Sequence, residues 1–306
     1  MKHLSFRPQW FCLNRLSILW GLFLAFTPLV AQDHAWWSAN VQWDGISHWR
    51  EYLIFSPRYL GPNALPIPEQ GTGEVFSESE IRLTGNAQWS RGDRTWHPAL
   101  YARYAAWPER ISLSLYWVPL EFFTTTHEWK TERRVFHSSY HARQAIGDVL
   151  LNTQIQLKRE SETWPGITLR LGYRFASSNT VGAARFTDSP GYHFDLSVGK
   201  DYTLWSGTWR PVVMMGFLVW QTNLDTHVQN DAVLFGGGFS YQYEQWESGA
   251  HLRGYVGYLN NGDFPLLAEA YLKKSWKRGY IFLRFQHGMK DRLYDRLELG
   301  VGRSIR

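Results

Sequence analysis

The stretch Trp164–Phe175, reading W-P-G-I-T-L-R-L-G-Y-R-F, constrains this chain most. Ile167, Leu169, Leu171, Tyr173 and Phe175 fall in one phase, and Thr168, Arg170, Gly172 and Arg174 fall in the other. Successive side chains of a strand point to opposite faces, so a period of two separates two solvents. Arginines in the polar phase suit the water-filled side of a membrane barrel whose other face meets lipid.

The pattern recurs about a dozen times, with strands expected at 79–90, 97–106, 110–119, 147–159, 166–176, 191–203, 209–221, 231–245, 248–259, 265–275, 279–288 and 293–306. The connections alternate. One set is short, at 107–110, 160–165, 204–207, 245–248 and 276–279; the other is mostly longer, at 91–96, 120–146, 177–190, 222–230, 260–264 and 289–292. Short periplasmic turns facing longer outer loops are the asymmetry of an outer-membrane barrel. Each short turn also carries a tryptophan, namely Trp107, Trp164, Trp205, Trp246 and Trp276. A ring of indoles at one membrane interface accounts for this, because the apolar body and polar N–H prefer different media. In a soluble sandwich or propeller such aromatics would fall inside the strands.

The N-terminus points to an exported protein. Lys2, Arg7 and Arg15 form a basic head, Leu16–Val30 is an uncharged apolar run, and Ala31 offers a small residue for cleavage. Residues 1–31 therefore read as a signal peptide. Without them the net charge falls from +5 to +2, which removes the support for nucleic-acid binding. The only cysteine, Cys12, leaves as well, so the remaining chain has no disulfide, thiol nucleophile or thiolate ligand. No later stretch approaches a spanning helix, and lipid tolerates no open sheet edge, so a membrane-embedded form must be a closed barrel.

Residues 32–78 differ from the rest. Trp36, Trp37, Trp43 and Trp49 precede Phe55–Glu69, whose four prolines exclude a central strand. The segment is too apolar for a disordered linker. Two readings stay open: a plug in the barrel mouth or lumen, and a periplasmic extension with one hairpin built from Trp37–Trp43 and His48–Phe55. Two features of the barrel bear on the choice. Around Val212–Trp220 both phases are apolar, and Gly236, Gly237 and Gly238 interrupt 234–239, as if another segment covered the lumen there or approached its backbone.

With the polar phase inward, the lumen is expected to be lined by Arg82, Arg103, Asp148, Arg170, Arg174, Asp195, Arg253, Glu269, Lys273, Arg284, Arg296 and Glu298, joined by Asn86, Asn152, Gln154, His193 and His251. Arginine excess favours anionic or carboxylate solutes if the path is open. A mutually paired network that fills the barrel is the alternative.

The longest loop holds His127, His137 and His141 with Arg133, Arg134 and Arg143. His137 and His141 have helical metal-ligand spacing, but no acidic partner completes a set, so no metal or other cofactor is expected. His137 and Ser139, with Asn152, are similar to the His-x-Ser arrangement of outer-membrane phospholipase and lipid A deacylase barrels. The likeness is two residues long, and an acyl hydrolase is the lesser reading.

The runs Ile146–Lys158 and Trp164–Phe175 resemble the phenol-degradation meta-pathway family of outer-membrane proteins, related in general design to the long-chain fatty-acid porins. The resemblance implies a bacterial outer-membrane barrel moving hydrophobic or aromatic small molecules. Ala176–Asn179 stands where that family has a Pro-Thr-Gly loop, and the chain ends Ser304-Ile305-Arg306 rather than on an aromatic residue. The expectation is therefore an all-β, twelve-stranded, up-and-down transmembrane barrel over 79–306. It would serve as a channel or transporter, with a non-conducting structural or surface-interaction barrel as the alternative. Its expected partners are outer-membrane lipid and an unidentified small solute.

Overall fold

The computed structural model describes residues 34–305 apart from Phe55, 136–142, Asp188, 225–226 and 258–261. The signal-peptide reading and the His137, Ser139 and His141 readings lie outside the described residues.

Fifteen strand segments follow one another: β1 (Ser79–Ser90), β2 (Asp93–Trp107), β3 (Ile111–Trp117), β4 (Glu121–Thr125), β5 (Gln144–Ala145), β6 (Val149–Lys158), β7 (Gly166–Arg174), β8 (Gly191–Gly199), β9 (Tyr202–Leu204), β10 (Gly207–Leu224), β11 (His227–Tyr243), β12 (Trp246–Gly257), β13 (Leu266–Trp276), β14 (Gly279–Lys290) and β15 (Asp295–Ile305). Twelve of them close an antiparallel barrel. The order runs β1-β15-β14-β13-β12-β11-β10-β8-β7-β6-β3-β2, and β2 pairs back onto β1. The remaining three are extensions: β4 and β5 lengthen the β2 side, and β9 continues β8 against β10.

The twofold alternation fixes which face is inside. In β14, Tyr280, Phe282, Arg284 and Gln286 are buried while Ile281, Leu283 and Phe285 are exposed. In β15, Arg296 and Glu298 are buried while Leu297, Leu299 and Val301 are exposed. β1, β7 and β8 follow the same rule, so the outer wall is a continuous belt of exposed apolar side chains. A belt of that extent suits hydrocarbon rather than water. No described helix is long and apolar enough to cross a membrane.

Several boundaries differ from the sequence reading. Residues 93–96 belong to β2, because Asp93 and Thr95 face in while Arg94 and Trp96 face out, leaving a tight turn at Arg91–Gly92 with Gly92 at φ +78°. β10 and β11 reach Leu224 and His227, so the expected loop at 222–230 is largely strand. Among the described residues the N-terminal segment forms no hairpin. Its residues instead form a helix, α1 (His34–Val41), and a 3-10 turn at Trp49–Tyr52. Loop 118–148 carries a second helix, α2 (His127–Arg133), which Thr126 caps by accepting a hydrogen bond from the Trp129 amide. α1 packs on this loop: the Trp37 indole donates to the Arg134 carbonyl at 3.2 Å, and Asn40 donates to the Thr131 carbonyl at 3.1 Å.

From there the chain passes along the inner wall of the barrel to β1. Leu60, Ala64, Leu65 and Ile67 join Met214, Leu218, Trp220, Leu234, Tyr255 and Leu267 in one buried apolar cluster. That accounts for the apolar inner phase of β10. Lower down the approach is backbone to backbone. A Cβ on Gly199 would lie 2.2 Å from the Thr72 carbonyl oxygen, and one on Gly166 would lie 2.6 Å from that of Gly73. Gly166 and Gly199 are register partners in β7 and β8, so the wall offers a bare patch where the segment crosses it. Gly73 itself has φ +80°, which a side chain would strain.

Gly199→Val is therefore expected to detach residues 70–76 from the wall at a cost of about 1–3 kcal/mol, the usual range for overpacking, while the barrel stays closed. Limited digestion of the refolded protein with a protease of broad specificity should then cut within residues 70–76 in the variant only, with the heat-modifiable barrel band unchanged. Equal protection of both proteins would contradict this packing.

Candidate functional site

The lumen is the candidate site, and its chemistry begins with the segment inside it. Residues 56–75 make no strand or helix, and prolines at 57, 62, 66 and 68 remove four amide donors while leaving their carbonyls. Buried carbonyls need donors, and arginine supplies five N–H groups with no acceptor. The wall provides them in order along the segment. Arg292 donates to the Pro62 carbonyl at 3.2 Å, and Arg174 donates to that of Ala64. Arg253 reaches Ile67 and Pro68, both at 2.7 Å, and Arg170 reaches Glu69 at 2.7 Å. Arg210 reaches Thr72 at 3.0 Å. Amides complete the series: Gln156 accepts from the Val75 N–H at 2.7 Å and donates to the Gly73 carbonyl at 2.8 Å. Residues 56–75 thus form a strap running from the long-loop end of the barrel to the short-turn end.

Ten of the twelve lining candidates line the lumen cavity, Asp195 and Glu298 are buried on the same inner phase, and each of the twelve is paired with an opposite charge. Arg170 meets Asp195 at 2.8 Å, Arg253 meets Glu269 at 2.7 Å, Lys273 meets Glu247 at 2.9 Å, and Arg103 meets Glu80 at 2.9 Å. Arg284 and Arg296 share Glu298, at 2.6 and 3.0 Å. Arg174 and Asp148 stand 3.8 Å apart, and Arg82 stands 3.8 Å from Glu69 of the strap, which Arg284 also holds at 2.9 Å. The arginines expected to line an open anion path are thus engaged by carboxylates and by the strap's carbonyls. Asn152 faces the lumen, within 3.5 Å of the Ser114 hydroxyl.

The sequence reading missed a second cluster at the long-loop end. Arg185, from loop 175–190, contacts Asp93 at 2.6 Å and Glu121 at 2.7 Å. Arg133 of α2 contacts the same Asp93 at 2.9 Å, and the Tyr294 hydroxyl donates to it at 2.9 Å. The charged side chains are wholly buried, and Asn63 of the strap donates to Glu121. The cluster ties two loops, two strand ends and the strap together across the mouth. Nearby, the strap's Ser56 donates to Asp263 at 2.7 Å.

The short-turn tryptophans Trp107, Trp164, Trp205, Trp246 and Trp276 all lie in or beside the turns, and all are exposed. Lys158, Lys274 and Arg110 stand over Trp164, Trp246 and Trp107 at 3.4, 4.9 and 4.9 Å from the ring centroids. His127 packs on Trp36, with centroids 5.1 Å apart. The carboxylates Glu74, Glu160 and Asp201 converge closely enough to hold a cation, and Arg210 already contacts all three, at 3.2, 2.8 and 2.6 Å.

A cavity of about 630 Å³ remains between strap and wall. Its lining reaches from Pro62 and Arg292 to Lys277–Gly279 in the β13–β14 turn. Phe76, Tyr101, Tyr116, Tyr271, Tyr280 and Phe282 supply aromatic surface along it.

No family model matches the chain, and no curated protein matches it. Solved structures do. An outer-membrane channel from Pseudomonas putida F1 superposes with a TM-score of 0.53 at 9% identity, covering 78% of this chain and all of that one. The NanC porin superposes at 0.50 with 10% identity, covering 74% of this chain and all of its own. The shared feature is the fold, a closed antiparallel barrel of the outer-membrane type.

The buried charges at the long-loop end lead to two predictions. Asp93→Ala leaves Arg133 and Arg185 buried without their shared carboxylate and should destabilise the protein by about 3–5 kcal/mol. Breaking the exposed Arg159–Glu109 pair should cost under about 1 kcal/mol. Urea unfolding in lipid vesicles measures both, and equal effects would contradict the burial of the cluster. Burial, with repulsion from Asp291, pushes the Asp263 carboxyl up to about 6 from its ordinary 3.8. A carboxyl raised on folding favours the native state fully at low pH, so stability should fall as pH rises from about 4 to about 6 and level off above. The drop is at most about 3 kcal/mol, and Asp263→Asn should abolish it in unfolding series at pH 4, 5 and 7.

Proposed function

We propose that the chain is a bacterial outer-membrane channel or transporter for small molecules whose lumen is closed by its own strap. One observation carries this reading: residues 56–75 fill the inner wall, held mainly through backbone carbonyls. A hydrogen bond from arginine to a neutral carbonyl is weaker than one to a carboxylate, so the strap is the more easily displaced partner of Arg170, Arg174 and Arg253. The permanent partners, Asp195, Glu269 and Glu298, sit in the wall itself. Displacing the strap would leave a charged lumen in which the wall's own salt bridges remain, while Arg82 and Arg284 lose Glu69 and Arg210 loses Glu74.

The outer apolar belt and the barrel fold shared with known channels support an outer-membrane location. With the long loops outside, the Trp107, Trp164, Trp205, Trp246 and Trp276 ring anchors the periplasmic interface. Aromatic surface along the cavity, together with the resemblance of 146–175 to the phenol-degradation family, favours hydrophobic or aromatic solutes. The pairing of all twelve expected lining charges favours a second reading, a non-conducting structural barrel.

Single-channel recording in planar bilayers separates the two. The intact chain is expected to be closed or to open only briefly, the chain lacking 32–78 to carry a steady current, and Gly199→Val to open more often than the intact chain. Silence from all three would overturn the channel reading and leave the structural barrel.

A further inference from the structure

The strap reading, on which this inference rests, leaves one group at the head of the strap unexplained. Arg292 lies in the β14–β15 turn and is only 8% exposed. No carboxylate stands within ion-pairing distance of it among the described residues, and its hydrogen bond to Pro62 is a long one. Its neighbours add to the imbalance. Arg253 and Arg296 bear on it with like charge, and the connected group of Arg82, Arg253, Arg284, Arg292 and Arg296 shares only Glu69, Glu269 and Glu298. Desolvation and that repulsion push Arg292 down to about 10, which still leaves it charged at neutral pH.

A buried cation without a counter-ion is costly, and such a site favours any anion that can reach it. Arg292 and Arg296 both line the lumen cavity, beside Gln286, Leu218, Trp220 and Leu267. The cavity is of the size that holds small ligands. It combines a buried positive charge without a carboxylate partner, that of Arg292, at one end with an apolar wall next to it. Inorganic anions would satisfy the first feature and leave the second unused.

We infer that this cavity binds a small organic carboxylate with an apolar body, its carboxylate on Arg292 and its body against Trp220, Leu218 and Leu267. The Pro62 carbonyl occupies Arg292 in the empty state. A carboxylate offers two charge-assisted hydrogen bonds in place of that single neutral one. The ligand therefore competes with the strap for the arginine, and binding loosens the strap at its head, where Pro62 and Asn63 are held.

The test is titration of the refolded mature chain in detergent, followed by calorimetry and tryptophan fluorescence, with benzoate as the probe. Benzyl alcohol and inorganic phosphate test the charged and apolar halves separately. Benzoate should saturate one site, and the other two probes should bind at least tenfold more weakly. Arg292→Gln should weaken benzoate at least tenfold, Arg292→Lys should restore part of the loss, and Arg159→Gln, outside the cavity, should change nothing. Absence of benzoate binding, equal binding of benzyl alcohol or phosphate, or full affinity in Arg292→Gln would overturn the site. The three probes on the unmodified chain decide even if Arg292→Gln fails to fold. A strap-deleted barrel that conducts while the intact chain ignores benzoate would overturn this site and leave the strap reading intact.

Discussion

The structure depends on how the carbonyls of a proline-rich segment are satisfied inside a barrel. A chain without regular structure cannot bond to itself, and inside the lumen it has little water to bond to. Proline sharpens the asymmetry by deleting donors and keeping acceptors. Arginine is the complementary residue, with donors only. Arg170, Arg174, Arg210, Arg253 and Arg292 each take a strap carbonyl from the wall. Those arginines then demand negative charge, and the wall supplies Asp148, Asp195 and Glu269. The inner charges are thus a consequence of the strap as much as of any solute.

Closure at the two ends is unequal. At the long-loop end, Asp93 and Glu121 hold Arg133 and Arg185 with no exposure, so loops, strand ends and strap move as one packed unit or not at all. Toward the short-turn end the strap is held by glycine contacts, amide hydrogen bonds and the half-exposed Glu74 on Arg210, and the cavity extends to the β13–β14 turn. Among the described residues a buried charge cluster spans the long-loop end, while the chamber extends to the short-turn end.

Much of this was legible in the sequence. The twofold alternation gave the strand count and the inward phase, because lipid and water select opposite side chains at every step. The apolar inner phase of 212–220 and the glycines at 236–238 pointed to something covering the wall, and a Cβ on Gly236 would lie 2.3 Å from the Gln70 side chain. What could not be read is how that covering segment sits, since the wall side chains that bond its backbone are 80 to 230 residues away and nothing periodic links Pro62 to Arg292 or Gly73 to Gly199. Arg185, Asp93 and Arg292 stand in turns and loops or at a strand end, where alternation carries no signal. The short helix α1 shows no apolar stripe, which is why its tryptophans looked compatible with a hairpin.

The measurement that reaches the central claim most directly is cysteine crosslinking of the strap to the wall. The only native cysteine is Cys12, so a Gly71→Cys/Ser197→Cys pair lacking Cys12 carries just two thiols, at positions that face one another across strap and β8. In native membranes the pair should oxidise readily, and reduction should shift its mobility on an unboiled gel, while a Gly71→Cys/Leu196→Cys pair, whose second residue faces lipid, should not crosslink. Crosslinking of both pairs alike, or of neither, would contradict a strap lying inside the barrel.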